Sequence, residues 1–171
     1  MKYRLRDLRI EDLPYMIEII EDKEIAKNFL FTRFPYSEAR MKNFIENSWV
    51  DRENIHFAIE DLESNEYLGT VSLKNVNFID KNAEYAIFLR KKVWGSGVAY
   101  FATNAIIEYG FKTLNLNKIY LNVLSSNLRA IKFYEKYGFK YEATFKNHVY
   151  INGEYRDIVW YAIYNKQDCV N

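Results

Sequence analysis

The segment Trp94-Gly95-Ser96-Gly97-Val98-Ala99 places two glycines and an alanine at alternate positions, between a strand-like and a helix-like segment. The chain has only six glycines and two prolines among 171 residues, so a glycine pair at such a junction strongly constrains the backbone. Without Cβ atoms an anion can approach the main chain closely, and the first turn of a helix offers N–H groups that lack internal partners. The segment therefore predicts either a diphosphate cradle or a tight turn that binds nothing.

Two other phosphate-binding loops fit this segment less well. A Walker A loop requires Gly-Lys followed by Ser or Thr, and these residues do not follow here. A dinucleotide fingerprint requires its third small residue one position later and lies near the start of a β-α-β unit, whereas this segment is in mid-chain. Cationic side chains flank the segment and could attract a polyanion, although each alone is more typical of ordinary surface: Arg90, Lys91, Lys92, Arg129, Lys132 and Lys136.

Hydrophobic periodicity predicts seven strands and four helices. The strands are expected at 3–8, 56–60, 67–73, 83–89, 118–124, 141–151 and 155–164, and the helices at 12–20, 36–49, 97–112 and 127–137. Asn152-Gly153 is a strong signal for a hairpin between the last two strands. Ser37 and Asn127 are candidate N-caps of the second and fourth helices, and Gly138 lies just past the end of the fourth. The order of elements predicts an α/β class fold, an α+β type mixed sheet packed by helices, and residues 26–33 show no clear pattern.

Composition restricts the setting and the partners of the chain. Its length suits one domain over residues 1–171, and 49% apolar residues can supply the core. A net charge of +1 argues against nucleic-acid binding, and no apolar run is long enough to span a membrane. Cys169 is the only cysteine, which favours a cytoplasmic location, and two isolated histidines, His56 and His148, give no reason to expect a metal.

The glycine segment resembles the acetyl-CoA loop of the GNAT superfamily of N-acetyltransferases, whose signature is Gln/Arg-x-x-Gly-x-Gly/Ala. It departs from that signature at Trp94, and the version with Trp resembles the branch of ribosomal-protein N-terminal, spermidine and amino-sugar acetyltransferases. A second block, from Asn127 to Phe139, is similar to the family's Asn-x-x-Ala-x-x-Phe/Tyr-Tyr-x-x-x-Gly-Phe. The segment from Tyr150 to Asp157 is similar to the last hairpin of that branch.

The resemblance implies a fold, a co-substrate and a site. The fold would be a mixed sheet of about seven strands, splayed at its centre between residues 83–89 and 118–124 and flanked by four helices. Acetyl-CoA would lie in the gap as co-substrate, with no metal. Its implied contacts are Ile87, Phe88, Leu89, Trp94, Gly95, Ser96, Gly97, Val98, Ala99, Asn127, Ala130, Tyr134 and Lys136.

Acetyl transfer to an amine requires a proton acceptor and a proton donor. A primary amine has a pKa near ~10, so a base must remove a proton before it attacks. Glu84 is the candidate base because it lies on a central strand among apolar neighbours, although it could equally be a salt-bridged strand residue. Tyr134 matches the family's acid, which would protonate the departing thiolate.

The resulting function is acetyl transfer from acetyl-CoA to a primary amine of a small molecule or peptide. Polyamine acetylation in particular is an alternative, as is a sensor that binds acyl-CoA without catalysis or a nucleotide-binding protein with the same loop. We expect the amine pocket to draw on the first two helices, residues 28–36 and the final hairpin. That hairpin is rich in aromatic residues and could also support a homodimer.

Overall fold

The computed structural model describes residues 2–29 and 37–165, which contain seven strands together with helices. The strands are β1 (Tyr3–Asp7), β2 (Ile55–Asp61), β3 (Tyr67–Asn77), β4 (Asn82–Leu89), β5 (Lys118–Leu124), β6 (Lys140–Ile151) and β7 (Glu154–Tyr164). The helices are α1 (Leu13–Glu21), α2 (Lys23–Ala26), α3 (Glu38–Ser48), α4 (Val98–Glu108) and α5 (Leu128–Tyr137). The predicted residues 30–36 of the amine pocket and Cys169 lie outside the described residues.

The seven strands form one mixed sheet in the order β1-β2-β3-β4-β5-β7-β6, which confirms the predicted fold class. Only the central pair, β4 and β5, runs parallel within the described sheet, and the helix α4 makes the crossover between them. Antiparallel neighbours can be joined by tight turns, whereas a parallel pair needs such a long connection. Asn152 (φ 50°) and Gly153 (φ 85°) form the predicted turn between β6 and β7.

The sheet splays between β4 and β5. Their pairing covers only three positions, from Asn82 opposite Lys118 to Glu84 opposite Tyr120. Beyond Glu84, β4 continues to Leu89 paired only with β3, and β5 continues to Leu124 paired only with β7. A gap therefore opens between the two halves of the sheet beyond Glu84.

Helices cover both faces of the sheet. On one face α4 buries Val98, Ala102 and Ile106 completely against the strands, and α5 packs beside it. On the other face α1 and α3 bury Ile19 and Ile45 against β2 and β3. Each buried Val or Ile side chain of this set contributes about 1.5–3 kcal/mol on burial, so the scaffold around the gap is well supported.

Two helical features differ from the expectation. The helix predicted at 97–112 ends as α4 at Glu108 and continues as a π-helical turn over Tyr109–Thr113. Gly110 lies in that turn, where a Cβ would come within 2.7 Å of the Ile119 side chain, so the widened turn accompanies a close approach to the sheet. The short α2 was not predicted; Asp22 caps it by accepting bonds from the N–H groups of Glu24 and Ile25.

No helix in the described part of the chain combines the length and the apolar character needed to cross a bilayer.

Candidate active site

The turn between β4 and α4 has the geometry of an anion cradle. Gly95 (φ +80°) and Gly97 (φ +89°) adopt left-handed conformations, which would cost an L-residue about 1–2 kcal/mol each. Gly97 is the N-cap of α4 and supplies no side chain, and the first backbone bond of the helix runs from Phe101 N–H to the Gly97 carbonyl. Within the described residues, the N–H groups of Val98, Ala99 and Tyr100 therefore have no acceptor. These donors and the positive end of the helix dipole suit a diphosphate.

A cavity of about 750 Å³ adjoins this turn. Ten of the thirteen residues predicted to contact the donor line it: Ile87, Leu89, Trp94, Gly95, Gly97, Ala99, Asn127, Ala130, Tyr134 and Lys136. Ile25, Asn28 and Phe29 also line it, and they come from the side of the sheet opposite α5. The cavity is thus lined from both sides of the sheet at the gap between β4 and β5.

The other three predicted contacts point their side chains elsewhere. The Phe88 ring packs edge-on against Phe29, with ring centroids 4.6 Å apart, and Val98 is buried in the core. The Ser96 hydroxyl donates to the Val93 carbonyl at 2.7 Å and so stabilises the turn. These side chains therefore do not line the cavity, and the Ser96 N–H also donates to the Val93 carbonyl, at 3.3 Å.

Tyr134 projects from α5 into the cavity. Its ring contacts Tyr85 and Phe139 edge-on, and its hydroxyl has no hydrogen-bond partner among the described residues. Burial raises the pKa of Tyr134 to about 12, so the phenol stays protonated throughout the neutral range. The geometry makes it a hydrogen-bond donor to a group bound in the cavity.

Glu84 does not line the cavity. Alternation along β4 puts it on the face opposite Tyr85, mostly buried, at the last paired position before the strands separate. Its carboxylate accepts bonds from Lys74 Nζ (2.8 Å), Asn75 Nδ2 (3.1 Å) and Asn122 Nδ2 (3.1 Å). The ion pair expected as the alternative to a catalytic role is therefore present, and a role as base requires a path through water.

Asn127 has the predicted capping role. Its side-chain oxygen accepts a bond from Ala130 N–H at 3.3 Å, which starts α5 beside the cavity. Gly138 (φ 123°) ends the helix, as its position after Tyr137 predicted. The cap fixes the helix that carries Ala130, Tyr134 and Lys136 along the cavity wall.

Comparison with known proteins identifies the family. A family model described as "Acetyltransferase (GNAT) domain" matches residues 2–140. The chain belongs to the GNAT acetyltransferase family. It is therefore an acetyl-CoA-dependent acyltransferase, and both the predicted family and the predicted enzyme class are confirmed.

The relatives include members of the predicted branch. The spermidine N(1)-acetyltransferase of Escherichia coli (strain K12) is 31% identical over 170 residues, covering 96% of this chain and 87% of that protein. The putative ribosomal N-acetyltransferase YdaF of Bacillus subtilis (strain 168) is 24% identical, with 95% and 91% covered. The structure of spermidine N-acetyltransferase from Vibrio cholerae in complex with CoA and spermine superimposes with a TM-score of 0.86 at 29% identity, covering 95% of each chain.

The cations before the GNAT loop are engaged by the protein itself. Arg90 pairs with Glu18 of α1 at 2.7 Å and with Glu66 at 2.5 Å, and its guanidinium stacks on Tyr15. Lys92 also pairs with Glu66, at 2.6 Å. The idea that these side chains attract a polyanion is therefore wrong for Arg90 and Lys92, whose charges are satisfied by carboxylates that anchor the end of β4 to α1 and β3.

Two contacts of the GNAT site had no clear sequence signal. The Tyr85 hydroxyl lies 2.7 Å from that of Thr103, which donates in turn to the Ala99 carbonyl, and this chain ties β4 to the start of α4. The Arg129 guanidinium lies 3.3 Å from the centroid of the Trp94 ring. Both contacts join residues that are far apart in sequence, and local sequence patterns do not predict such contacts.

Within the described residues, no three side chains of His, Cys, Asp or Glu are grouped so that they could hold a metal ion. The expectation that the enzyme needs no metal stays a prediction.

Proposed function

We propose that this GNAT enzyme, acting as one domain over its whole length, passes an acetyl group directly from acetyl-CoA to a primary amine in the gap between β4 and β5. One observation carries the proposal: N–H groups at the start of α4, which have no acceptor among the described residues, open onto a cavity that is lined from both sides of the sheet. A donor held at the turn from one side can then meet an amine that enters from the other.

The turn and the cavity walls would hold the donor. The N–H groups of Val98 and Ala99 bind the diphosphate, and the main chain of Ile87–Leu89 pairs with the pantetheine arm as a strand would. The open side of both left-handed glycines fits this role, because a Cβ at either position would meet no protein atom within 4 Å and would project into open space. Bound acetyl-CoA supplies the activated thioester.

The amine must lose a proton for the reaction to proceed. With a pKa near ~10, only about one amine in a thousand is neutral at pH 7. Glu84 accepts the proton, through water, as the C–N bond forms and the C–S bond breaks. The carboxylate bonds to Asn122 at the edge of the gap and so lies beside the path of the amine, although Glu84 does not line the donor cavity.

Tyr134 assists the leaving group. A thiolate comparable to that of Cys has a pKa near ~8.5, below the value of about 12 for Tyr134, so a complete proton transfer is uphill at first. The phenol stabilises the developing negative charge on sulfur by donating a hydrogen bond, and it passes its proton to sulfur as the C–S bond breaks. The second proton that the nitrogen loses on becoming an amide restores the phenol through water.

A polyamine is the second candidate for the acceptor. It is favoured by the names of the relatives and by the surroundings of Glu84, where Tyr120 lies opposite in the strand pairing and stacks on Trp160 with ring centroids 5.4 Å apart. A carboxylate beside an aromatic pair is suited to an alkylammonium group. Two acidic residues near α2 already have partners within the protein, since Asp22 caps the helix and Glu24 pairs with Lys27.

A panel of amines tests the proposed function. Acetyl-CoA is incubated with the protein and spermidine, spermine, short peptides or an amino-sugar nucleotide, and both free thiol and acetylated amine are measured. We expect equal amounts of thiol and acetylated product with at least one amine, and greater activity with the polyamines if the second candidate is correct. CoA binding without amine-dependent thiol release would instead identify a sensor.

Self-association is a further proposal. Tyr141, Phe145, Tyr150 and Tyr155 of the β6–β7 hairpin are exposed, and a second copy could cover them. Light scattering would measure the mass in solution, and Tyr155→Lys should lower it if the hairpin forms the interface.

A further inference from the structure

Arg129 and Trp94 meet across the mouth of the cavity. Trp94 follows β4, whereas Arg129 lies in the first turn of α5, so the two side chains come from opposite walls of the gap. The guanidinium lies 3.3 Å from the centroid of the Trp94 ring, and both residues line the cavity together with Gly95 and Gly97. Stacking on the ring thus holds a positive charge next to the glycine turn.

This charge has no counter-ion in the part of the chain that the structure describes. Among the described residues, no carboxylate lies within ion-pair distance of Arg129, although Arg90, ahead of the same turn, is paired with both Glu18 and Glu66. Burial lowers the pKa of Arg129, and no nearby anion opposes that effect. The face of an aromatic ring attracts a cation but does not neutralise it, so the site remains suited to an anion.

We propose that Arg129, positioned by Trp94, binds the diphosphate of the acyl donor from the side opposite the helix amides. The N–H groups of Val98, Ala99 and Tyr100 contact the diphosphate from the α4 wall, and the guanidinium fork closes over it from the α5 wall. Arg is suited to this role because its planar fork can donate two parallel bonds to phosphate oxygens. The proposal rests on the proposed function only in taking coenzyme A as the ligand.

Calorimetric titration with coenzyme A, which needs no turnover, tests the assignment. Loss of a charge-assisted bond predicts that Arg129→Ala weakens binding by about 10- to 100-fold. Arg129→Lys retains the charge but not the fork and should give an intermediate loss. Lys132→Ala is the matched control, because it removes one positive charge from an exposed site on the same helix that does not line the cavity; its affinity should stay within about twofold of the wild type.

A double-mutant cycle separates positioning by Trp94 from ordinary packing. Trp94→Leu should weaken binding in the wild-type background and have little further effect when Arg129 is already Ala. Trp94→Phe retains an aromatic face and should recover most of the affinity. Equal effects of Trp94→Leu in both backgrounds would show that the ring acts independently of Arg129 and would overturn its positioning role.

Dephospho-coenzyme A decides which phosphate Arg129 contacts. We expect the same fold-loss for Arg129→Ala with coenzyme A and with the dephospho form, because both contain the diphosphate. A loss with coenzyme A alone would move the contact to the 3′-phosphate and overturn the assignment, as would equal losses in the Arg129 and Lys132 variants. Wild-type protein that binds no coenzyme A would contradict the proposed function itself, whereas binding that is unchanged in Arg129→Ala would contradict only this inference.

Discussion

The carboxylate of Glu84 accepts a 3.1 Å hydrogen bond from the side-chain amide of Asn122, across the point where β4 and β5 begin to separate. Glu84 is the last residue of β4 that pairs with β5, and Asn122 lies two residues beyond the last residue of β5 that pairs with β4. The same carboxylate is bound by Lys74 of β3. Glu84 therefore joins three neighbouring strands at the edge of the gap, where the proposed transfer requires a proton acceptor for the incoming amine.

Glu84→Gln should lower kcat by about 10²-fold or more, because the amide retains most of the hydrogen bonds but cannot accept a proton. Affinity for coenzyme A should not change, since Glu84 does not line the donor cavity. Steady-state kinetics and calorimetry together measure the two effects.

Glu142→Gln is the matched control for that variant. It removes another carboxylate that pairs with a lysine, Lys118, and lies away from the gap on β6. We expect near wild-type kcat for Glu142→Gln, and a similar kcat for Glu84→Gln would exclude Glu84 as the base.

Tyr134→Phe should lower kcat by at least about tenfold with little change in coenzyme A affinity, because only the hydroxyl donor is lost. Since burial raises the pKa of Tyr134 to about 12, its protonated form persists below that pH. The pH profile of the wild type should therefore show no alkaline decline due to Tyr134 up to pH 10. Wild-type kcat in the Phe variant would exclude Tyr134 as the donor to sulfur.

Gly97→Val should abolish or strongly weaken coenzyme A binding. Its left-handed φ would strain any L-residue by about 1–2 kcal/mol, and the new side chain would occupy the open space at the mouth of the cradle. Gly153→Val is the matched control, because Gly153 has a similar φ of +85° and equally open surroundings in a distant hairpin. Thermal unfolding should show a similar strain in both variants, and calorimetry should show lost binding only in Gly97→Val. Equal affinities of the two variants for coenzyme A would exclude the glycine turn as the diphosphate cradle.

Local signals predicted most of the scaffold. Asn152-Gly153 placed the last hairpin, Asn127 and Gly138 bounded α5, and Ser37, which accepts a bond from Arg40 N–H, began α3. Each of these residues acts through its own turn or helix end, so a short window of sequence contains the information.

Contacts between residues that are distant in sequence could not be predicted in this way. The stacking of Arg129 on Trp94, the ion pairs of Arg90 and the polar partners of Glu84 all join distant segments. The π-helical turn around Gly110 depends on its closeness to Ile119 of β5. The sequence thus suggested candidate site residues, whereas only the folded structure showed which of them line the cavity and which charged side chains are already paired.

His56 should make the fold sensitive to acid. Its Nδ1 lies 2.7 Å from the Ser72 hydroxyl, and its ring packs edge-on against Phe44. Burial lowers the pKa of His56 to about 4, and Lys74 lowers it further while Asp51 opposes the shift. In the unfolded chain the pKa of this histidine is about 6.5. Between pH 6.5 and pH 4 the unfolded chain therefore binds more protons than the folded one, so the stabilisation is present above pH 6.5 and is lost as the pH falls towards 4.

Denaturant unfolding at pH 7 and pH 4.5 measures this effect. Between these pH values the wild type should lose about 2 kcal/mol more unfolding free energy than His56→Gln. His148→Gln, which removes an exposed histidine, serves as the control for the substitution itself. Identical pH dependence in the wild type and His56→Gln would contradict the origin assigned to the acid sensitivity.

The pattern of initial rates tests the central claim most directly, because direct transfer requires donor and amine to occupy the gap together. Thiol release is measured while acetyl-CoA and the best amine are varied independently. We predict double-reciprocal lines that intersect, with no thiol released and no gain in protein mass when the amine is omitted. Parallel lines, accompanied by an acetylated protein in the absence of amine, would contradict direct transfer.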